Sequence, residues 1–219
     1  VDRRRRRAAV VSVRFIDRAT WARASTSAFY QGFADPTFEL AVEVELGGLP
    51  DRARASGASL FAATLYALGV AVHAVDGFRL RIRGEQVVLH DVVHPGFVAL
   101  GADEQLRFCG VRWSADWPTF AAAVRDGSAA AASEPGVREA HPSDDAFFVS
   151  AMPWLVVRSA RHARSGGAGD CVPKFTWGKI RPGAPLVLCL SAHHGLVDGA
   201  DVRRLVEAMQ DAASRWGVP

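Results

Sequence analysis

The residues of this sequence best suited to chemistry lie together in Ser191-Ala-His-His-Gly-Leu-Val-Asp-Gly199. Two adjacent histidines and an aspartate stand between an apolar run and a helix-like segment. Imidazole titrates nearest neutrality, so a histidine at a strand end can act as a general base if one ring nitrogen is fixed and the other left open. His193 and His194 cannot face the same way on a strand, because successive side chains alternate. One can serve a site while the other packs. Asp198 could orient the base or hold the loop through a cation, and Gly195 and Gly199 permit tight turns around it. A metal site fits less well: ligands on a strand would be spaced H-x-H, and no cysteine or carboxylate lies at ligand spacing. Spacing alone leaves the segment open between a catalytic base and a satisfied histidine at the end of a buried strand.

The elements that must position these residues are legible from periodicity. Phe38 to Leu46 largely alternates apolar with acidic residues, which predicts a half-buried strand ended by Gly47, Gly48 and Pro50. Ser59 to Val75 is apolar nearly all round and too long for a strand, so a buried helix is expected. Phe78–Arg83 and Gln86–His90, joined by Gly84-Glu85, predict a hairpin. Further strands are expected at Phe97–Leu100, Leu106–Val111, Phe147–Met152, Trp154–Val157, Lys174–Ile180 and Leu186–Ala192, and helices at Phe120–Ala132 and Ala200–Trp216. Ser133–Asp145 and Arg164–Gly169 read as turn and loop. Strands come both in runs and around helices, which implies one α/β domain with a mixed β-sheet flanked by α-helices over 13–219.

Composition narrows the class further. The chain has 219 residues and a net charge of +3, and the run Arg3 to Arg7 supplies more than all of that charge. Residues 1–12 are expected to be a disordered basic tail. No aromatic residues interleave with the arginines, so nucleic acid is not an expected partner. No apolar run reaches the ~20 residues of a membrane span, and no secretory pattern is visible, so a cytoplasmic protein is expected. Cys109, Cys171 and Cys189 are odd in number and widely spaced, which favours buried thiols over disulfides or zinc ligands. His73 and His90 fall inside predicted elements, and His141 and His162 read as loop residues.

His193-His-Gly-Leu-Val-Asp-Gly199 resembles the H-H-x-x-x-D-G signature of the chloramphenicol acetyltransferase family, a form shared by peptide-synthetase condensation domains and dihydrolipoyl acyltransferase cores. The likeness continues in order along the chain. Trp21-Ala-Arg23 with Phe29-Tyr30, Leu65-Tyr66, Phe78-Arg79, Val92-Val-His-Pro-Gly-Phe97, Val149-Ser-Ala-Met-Pro-Trp154 and Pro173-Lys-Phe-Thr176 with Lys179 are each similar to a family segment. The lipoyl and linker segments of a 2-oxo-acid dehydrogenase core are not seen.

The resemblance implies a chloramphenicol acetyltransferase-like two-layer sandwich, assembled as a homotrimer with active sites between subunits. It implies an acyltransferase with no tightly bound cofactor, its co-substrate an acyl-coenzyme A or acyl carrier protein thioester. Carried over, His194 is the general base, Ser150 the oxyanion donor, and Thr176 a helper through a bound water. Asp198 pairs with Arg23 to hold the histidine loop. Phe29, Tyr30, Phe38 and Phe108 match positions lining the acceptor pocket, Trp177 is a further candidate there, and Lys179 matches a coenzyme A contact. No metal is implied. Ser59, Phe61 and Ile180 stand where the family grips coenzyme A with a lysine and tyrosines, which leaves a carrier-protein donor open. Pro36-Thr-Phe38, Val137–Ser143 and Ala200-Asp201 also depart from the family pattern, which implies a small natural product other than chloramphenicol as acceptor. Chloramphenicol itself, or an idle binding protein of the same fold, are the alternatives.

Overall fold

The computed structural model describes residues 13–134, 136, 143–166 and 169–217. The arginine run and most of the Val137–Ser143 turn lie outside them. In chain order the elements are β1 (Val13–Phe15), α1 (Ala24–Gln31), β2 (Thr37–Val44), α2 (Leu49–Ser56), α3 (Leu60–Ala74), β3 (Leu80–Arg83), β4 (Gln86–His90) and β5 (His94–Leu100). They continue as β6 (Leu106–Gly110), α4 (Trp117–Ser133), β7 (Ala146–Ala151), β8 (Lys174–Trp177), β9 (Leu186–His193) and α5 (Gly199–Arg215).

The buried helix read from Ser59–Val75 is α3. Ser59 caps it, its Oγ accepting from the Ala62 N–H at 3.3 Å. Its buried residues are almost all apolar because α5, α2 and α4 pack against it and Phe61 meets Phe97 and Trp177 of the main sheet. Gly69 is required by one of these contacts: a Cβ there would sit 2.1 Å from the Trp113 ring. The Trp113 indole stacks instead on Tyr66 and His73.

The main sheet has six strands in the order β2-β9-β8-β7-β5-β6. It is mixed, as expected: β5–β7 and β7–β8 are parallel, and the other neighbours antiparallel. Phe97, Phe147, Val149, Phe175, Trp177, Leu188 and Leu190 are buried in the core on its helix-covered side. By strand alternation Val98, Phe148, Ser150, Lys174, Thr176 and Ser191 fall on the other side. The described residues of 152–166 and 169–173 run there as irregular chain.

Three expectations need correction. The sheet is not single: β1, β4 and β3 form a separate three-stranded antiparallel sheet, since Val13–Phe15 pairs with Val88–His90 and caps the hairpin. The fully buried Arg81 ties that sheet to β7 by donating to the carbonyls of Phe78, Leu80, Asp144 and Ala146. Trp154–Val157 is not a strand. Pro153 has no N–H to donate, the chain turns at Met152, and Trp154, Leu155 and Val156 are exposed. Strand β8 ends at Trp177, short of Ile180. At Gly178 the chain passes so close to Leu155 that a Cβ would lie 2.5 Å from its carbonyl oxygen.

Candidate active site

Strand β9 delivers the histidines. Its last residue, His193, is buried, and its Nδ1 accepts from the Gly195 N–H at 3.0 Å. Its Nε2 has no partner among the described residues. Burial first, and the nearby Arg164 second, push its pKa down to about 4. His193 is therefore neutral and packed. Gly195 follows because a Cβ there would meet both the His193 ring, at 3.0 Å, and Ser27 of α1, at 3.1 Å.

His194 leaves the strand end. Its backbone N–H donates to the Pro36 carbonyl at 2.8 Å. Its ring lies between Tyr30, stacked at 4.3 Å between centroids, and Phe38, at 4.5 Å. Nδ1 is 3.2 Å from the Val197 carbonyl oxygen. A carbonyl can only accept, so that nitrogen carries the proton and Nε2 keeps its lone pair. This is the protonation pattern a general base requires.

The loop is closed by a knot of charges. Arg23, at the start of α1, reaches Asp198 at 2.7 Å, as the family resemblance implies, and also Asp201 at 2.5 Å. Asp198 is the N-cap of α5: its Oδ1 accepts from the Ala200 and Asp201 N–H groups, while Asp201 Oδ2 accepts from the Asp198 N–H at 3.1 Å. This reciprocal capping box has aspartate where glutamate or glutamine is usual. Asp201 also receives Arg204 at 2.5 Å. Its side chain is 5% exposed and that of Asp198 39%, so the more buried anchor is Asp201, a residue sequence reasoning passed over as a departure from pattern. The Asp-x-x-Asp spacing ahead of an apolar-periodic helix was the available signal.

Ser150 and Thr176 form a second group. They are paired directly across β7 and β8, on one face. The Ser150 hydroxyl has no hydrogen-bond partner among the described residues, and two cavities share it. One, of about 410 Å³, is lined by Phe108, Phe148, Ser150, His162 and Lys174 among others. The other, of about 650 Å³, is lined by Phe61, Ser150, Trp154, Trp177 and Lys179 among others. Phe108 thus stands in the first cavity, and Trp177 and Lys179 in the second. Phe29 is exposed beside Tyr30, at the His194 group.

His162 is the residue the sequence did not reveal. It sits in the irregular segment, as a loop residue should, but folds onto the sheet. Nε2 lies 2.8 Å from Thr176 Oγ1 and Nδ1 2.6 Å from Ser191 Oγ. Ser191 in turn donates to Glu39 at 3.1 Å. No spacing relates His162 to these partners, so no local signal could have found it.

A mixed sheet backed by helices, a strand-end histidine whose Nδ1 meets a carbonyl, and a serine with no hydroxyl partner among the described residues, shared by two cavities, are parts that acyl transfer can use. The comparisons agree. The family model described as "Chloramphenicol acetyltransferase" matches residues 11–210. The chloramphenicol acetyltransferase of Proteus mirabilis is 25% identical over 206 residues, covering 91% of this chain and 94% of the relative. That of Streptomyces acrimycini is 26% identical over 204 residues, covering 89% and 91%. A solved chloramphenicol acetyltransferase superposes with a TM-score of 0.80 at 25% identity, over 92% of this chain and 99% of that one. A probable dihydrolipoamide acetyltransferase from Listeria monocytogenes, at TM-score 0.61 and 14% identity over 88% and 91%, shares the fold alone. The chain belongs to the chloramphenicol acetyltransferase family.

Proposed function

We propose that the protein moves an acyl group, acetyl first among them, from a coenzyme A or carrier-protein thioester to a hydroxyl or amine of a small molecule. His194 Nε2 takes the acceptor proton as the acceptor attacks the thioester carbonyl. The Ser150 hydroxyl donates to the oxyanion of the tetrahedral adduct. Collapse breaks the carbon–sulfur bond, and the departing thiolate recovers the proton from His194. The second cavity, with Lys179 and Trp154 at its wall, suits the thioester arm, and the first suits the acceptor.

The observation that carries this reading is the register of β7, β8 and β9. Ser150 pairs with Thr176, which pairs with Cys189. Ser150 is therefore two strand spacings, ~10 Å, from β9, and His193 is four residues further along, ~13 Å. The two backbones stand ~16 Å apart in one chain. A reacting carbonyl must lie within ~3 Å of both the base-bound acceptor and the oxyanion donor. One chain's His194 and Ser150 thus cannot close on the same carbonyl, and a site shared between protomers of a trimer brings the base of one to the serine of its neighbour.

Chloramphenicol is the acceptor to test first, because the relatives bear its name. A different natural product is the second reading, favoured by the polar wall that His162 adds to the first cavity. The test is thiol release from acetyl-coenzyme A with a panel of hydroxyl and amine acceptors. His194→Ala and Ser150→Ala should each be nearly inactive alone. Mixed trimers of the two variants should regain activity, since some interfaces unite an intact serine with an intact histidine. Full activity of His194→Ala sinks the base assignment, and failure of the mixed trimers sinks the shared site.

A further inference from the structure

The first cavity, of about 410 Å³, is walled mostly by apolar groups, Val98, Phe108 and Phe148 among them. Among the described residues that line it, Lys174 is the only one with a full charge, and Ser150 and His162 are the other polar side chains. Lys174 pairs with Phe148 across β7 and β8, two residues before the level at which Ser150 pairs with Thr176. One strand across and two residues along puts its backbone ~8 Å from that of Ser150, on the same face of the sheet.

The ammonium is incompletely satisfied. The Lys174 side chain is 13% exposed. Its Nζ donates to the carbonyl of Ala163, itself a cavity residue, at 2.9 Å, and lies 3.5 Å from Asp170 Oδ1. Arg164 shares that oxygen at 3.4 Å, while Asp170 Oδ2 accepts from the Ser165 and Gly166 N–H groups at 2.9 and 3.4 Å. One carboxylate thus serves two cations, both at long range. Glu39, the carboxylate on the far side of His162, is taken by the Ser191 hydroxyl at 3.1 Å and faces Arg161 at 4.0 Å. An ammonium has three protons to donate, and the third of Lys174 has no partner among the described residues. Burial lowers the Lys174 pKa, and Asp170 only partly opposes it.

We propose that Lys174 determines specificity, so that the first cavity takes an anionic acceptor whose apolar body lies against Phe108 and Phe148 and whose carboxylate meets the Lys174 ammonium. A carboxylate there supplies the counter-charge that Asp170 divides between two cations, and accepts the unpaired proton in a charge-assisted bond. A neutral molecule of the same shape covers the apolar wall but leaves the ammonium as it stands. The ~8 Å step from Lys174 to Ser150 sets the reach of the acceptor: its hydroxyl or amine lies at the end away from the carboxylate.

This inference rests on the acyl-transfer reading for the cavity's role as acceptor site, so binding and turnover are measured apart. The probes are para-hydroxyphenylpropanoate and its primary amide, which match in shape and differ in charge. Calorimetric titration of the full chain near neutral pH should show the carboxylate binding about tenfold more tightly than the amide. Lys174→Met and Lys174→Gln are both neutral, and the second can still donate to the Ala163 carbonyl. Each should bind the two probes within about threefold of one another. Equal binding of both probes by wild type, no carboxylate binding at millimolar concentration, or a preference that survives in either neutral variant overturns the proposal. If one variant does not fold, the other decides. With acetyl-coenzyme A as donor, the carboxylate should be converted to its acetate ester, with release of free coenzyme A, at a kcat/KM about tenfold above that of the amide. Turnover of both probes without preference overturns the inference and leaves acyl transfer standing. A binding preference without thiol release upholds Lys174 as the anion contact and counts against acyl transfer to this hydroxyl.

Discussion

The charge knot behind the histidine loop makes a prediction that the motif alone would reverse. In H-H-x-x-x-D-G the conspicuous aspartate is Asp198, yet its side chain is 39% exposed, against 5% for Asp201. Asp198→Asn keeps a good N-cap oxygen for α5 and loses only a half-exposed ion pair, a change of ~0–1 kcal/mol. Asp201→Asn keeps the shape but removes the charge that Arg23 and Arg204 share, both at 2.5 Å. Breaking a fully buried pair costs ~3–5 kcal/mol. Arg204 is half exposed and Arg23 retains Asp198, so the expected loss is ~2–3 kcal/mol. For a chain of this length each kcal/mol moves Tm by ~2–4 °C. Thermal unfolding at one fixed protomer concentration should therefore show Asp201→Asn melting ~4–12 °C below wild type and Asp198→Asn within ~4 °C of it. An Asp198→Asn protein as destabilised as Asp201→Asn would refute the argument that burial, not motif position, decides which carboxylate anchors the loop.

Three further outcomes are expected. Ser150→Ala should lower acetyl-transfer kcat by ~10²–10³ and leave the melting temperature near wild type, because the hydroxyl makes no hydrogen bond among the described residues; a kcat within about threefold of wild type removes Ser150 from the oxyanion. Gly69→Ala should destabilise the fold by ~1–3 kcal/mol, since its Cβ would penetrate the Trp113 ring, and urea unfolding that matches wild type would show that the indole moves freely aside. His73 and His193 are each held by burial at about 4, below the unfolded value of ~6.5, so the unfolded chain binds protons first. Their contribution to stability is present above ~6.5 and is lost as pH falls toward 4; urea midpoints that rise on acidification through this window would contradict it.

What the sequence made legible was whatever a local period or a dense motif encodes. Helix α3 announces itself because a run apolar on all sides and longer than a strand can only be a buried helix, and Ser59 marks its start. Strand β9 is legible from its apolar run, and its end separates His193, which packs, from His194, which leaves the strand. Trp154–Val157 has the composition of a strand, but pairing is a property of neighbours, and Pro153 with the close passage of Gly178 leaves it no ladder to join. Alternation likewise reads Arg81 as half of a wet face. The fold buries it because four carbonyls converge on its guanidinium from two sheets, which no linear window contains.

The site was legible in proportion to how locally its parts are wired. Arg23 and Asp198 were found through resemblance, but the partner that buries deepest, Asp201, was hidden because the motif draws the eye to the cap and not to the residue three positions on. His162 was invisible because its partners Ser191, Thr176 and Glu39 come from three strands that meet only in the sheet. The exposed surface follows the same split as the chemistry. Phe29 and Phe33 lie uncovered near His194, and Leu100, Leu106 and Phe108 lie uncovered near the cavities that meet at Ser150. Exposed apolar residues thus flank both the His194 group and the Ser150 cavities, as the proposed sharing of the site between protomers needs, and Trp154, Leu155 and Val156 are exposed as well. In the assembly proposed above each contact would join the His194 patch of one protomer to the cavity patch of the next, and a closed ring would leave neither patch in water. On this reading the base, the oxyanion donor and the assembly form one problem with one solution, so substitutions at Phe29 or Leu106 that loosen the ring should lower activity in step with the loss of the oligomer.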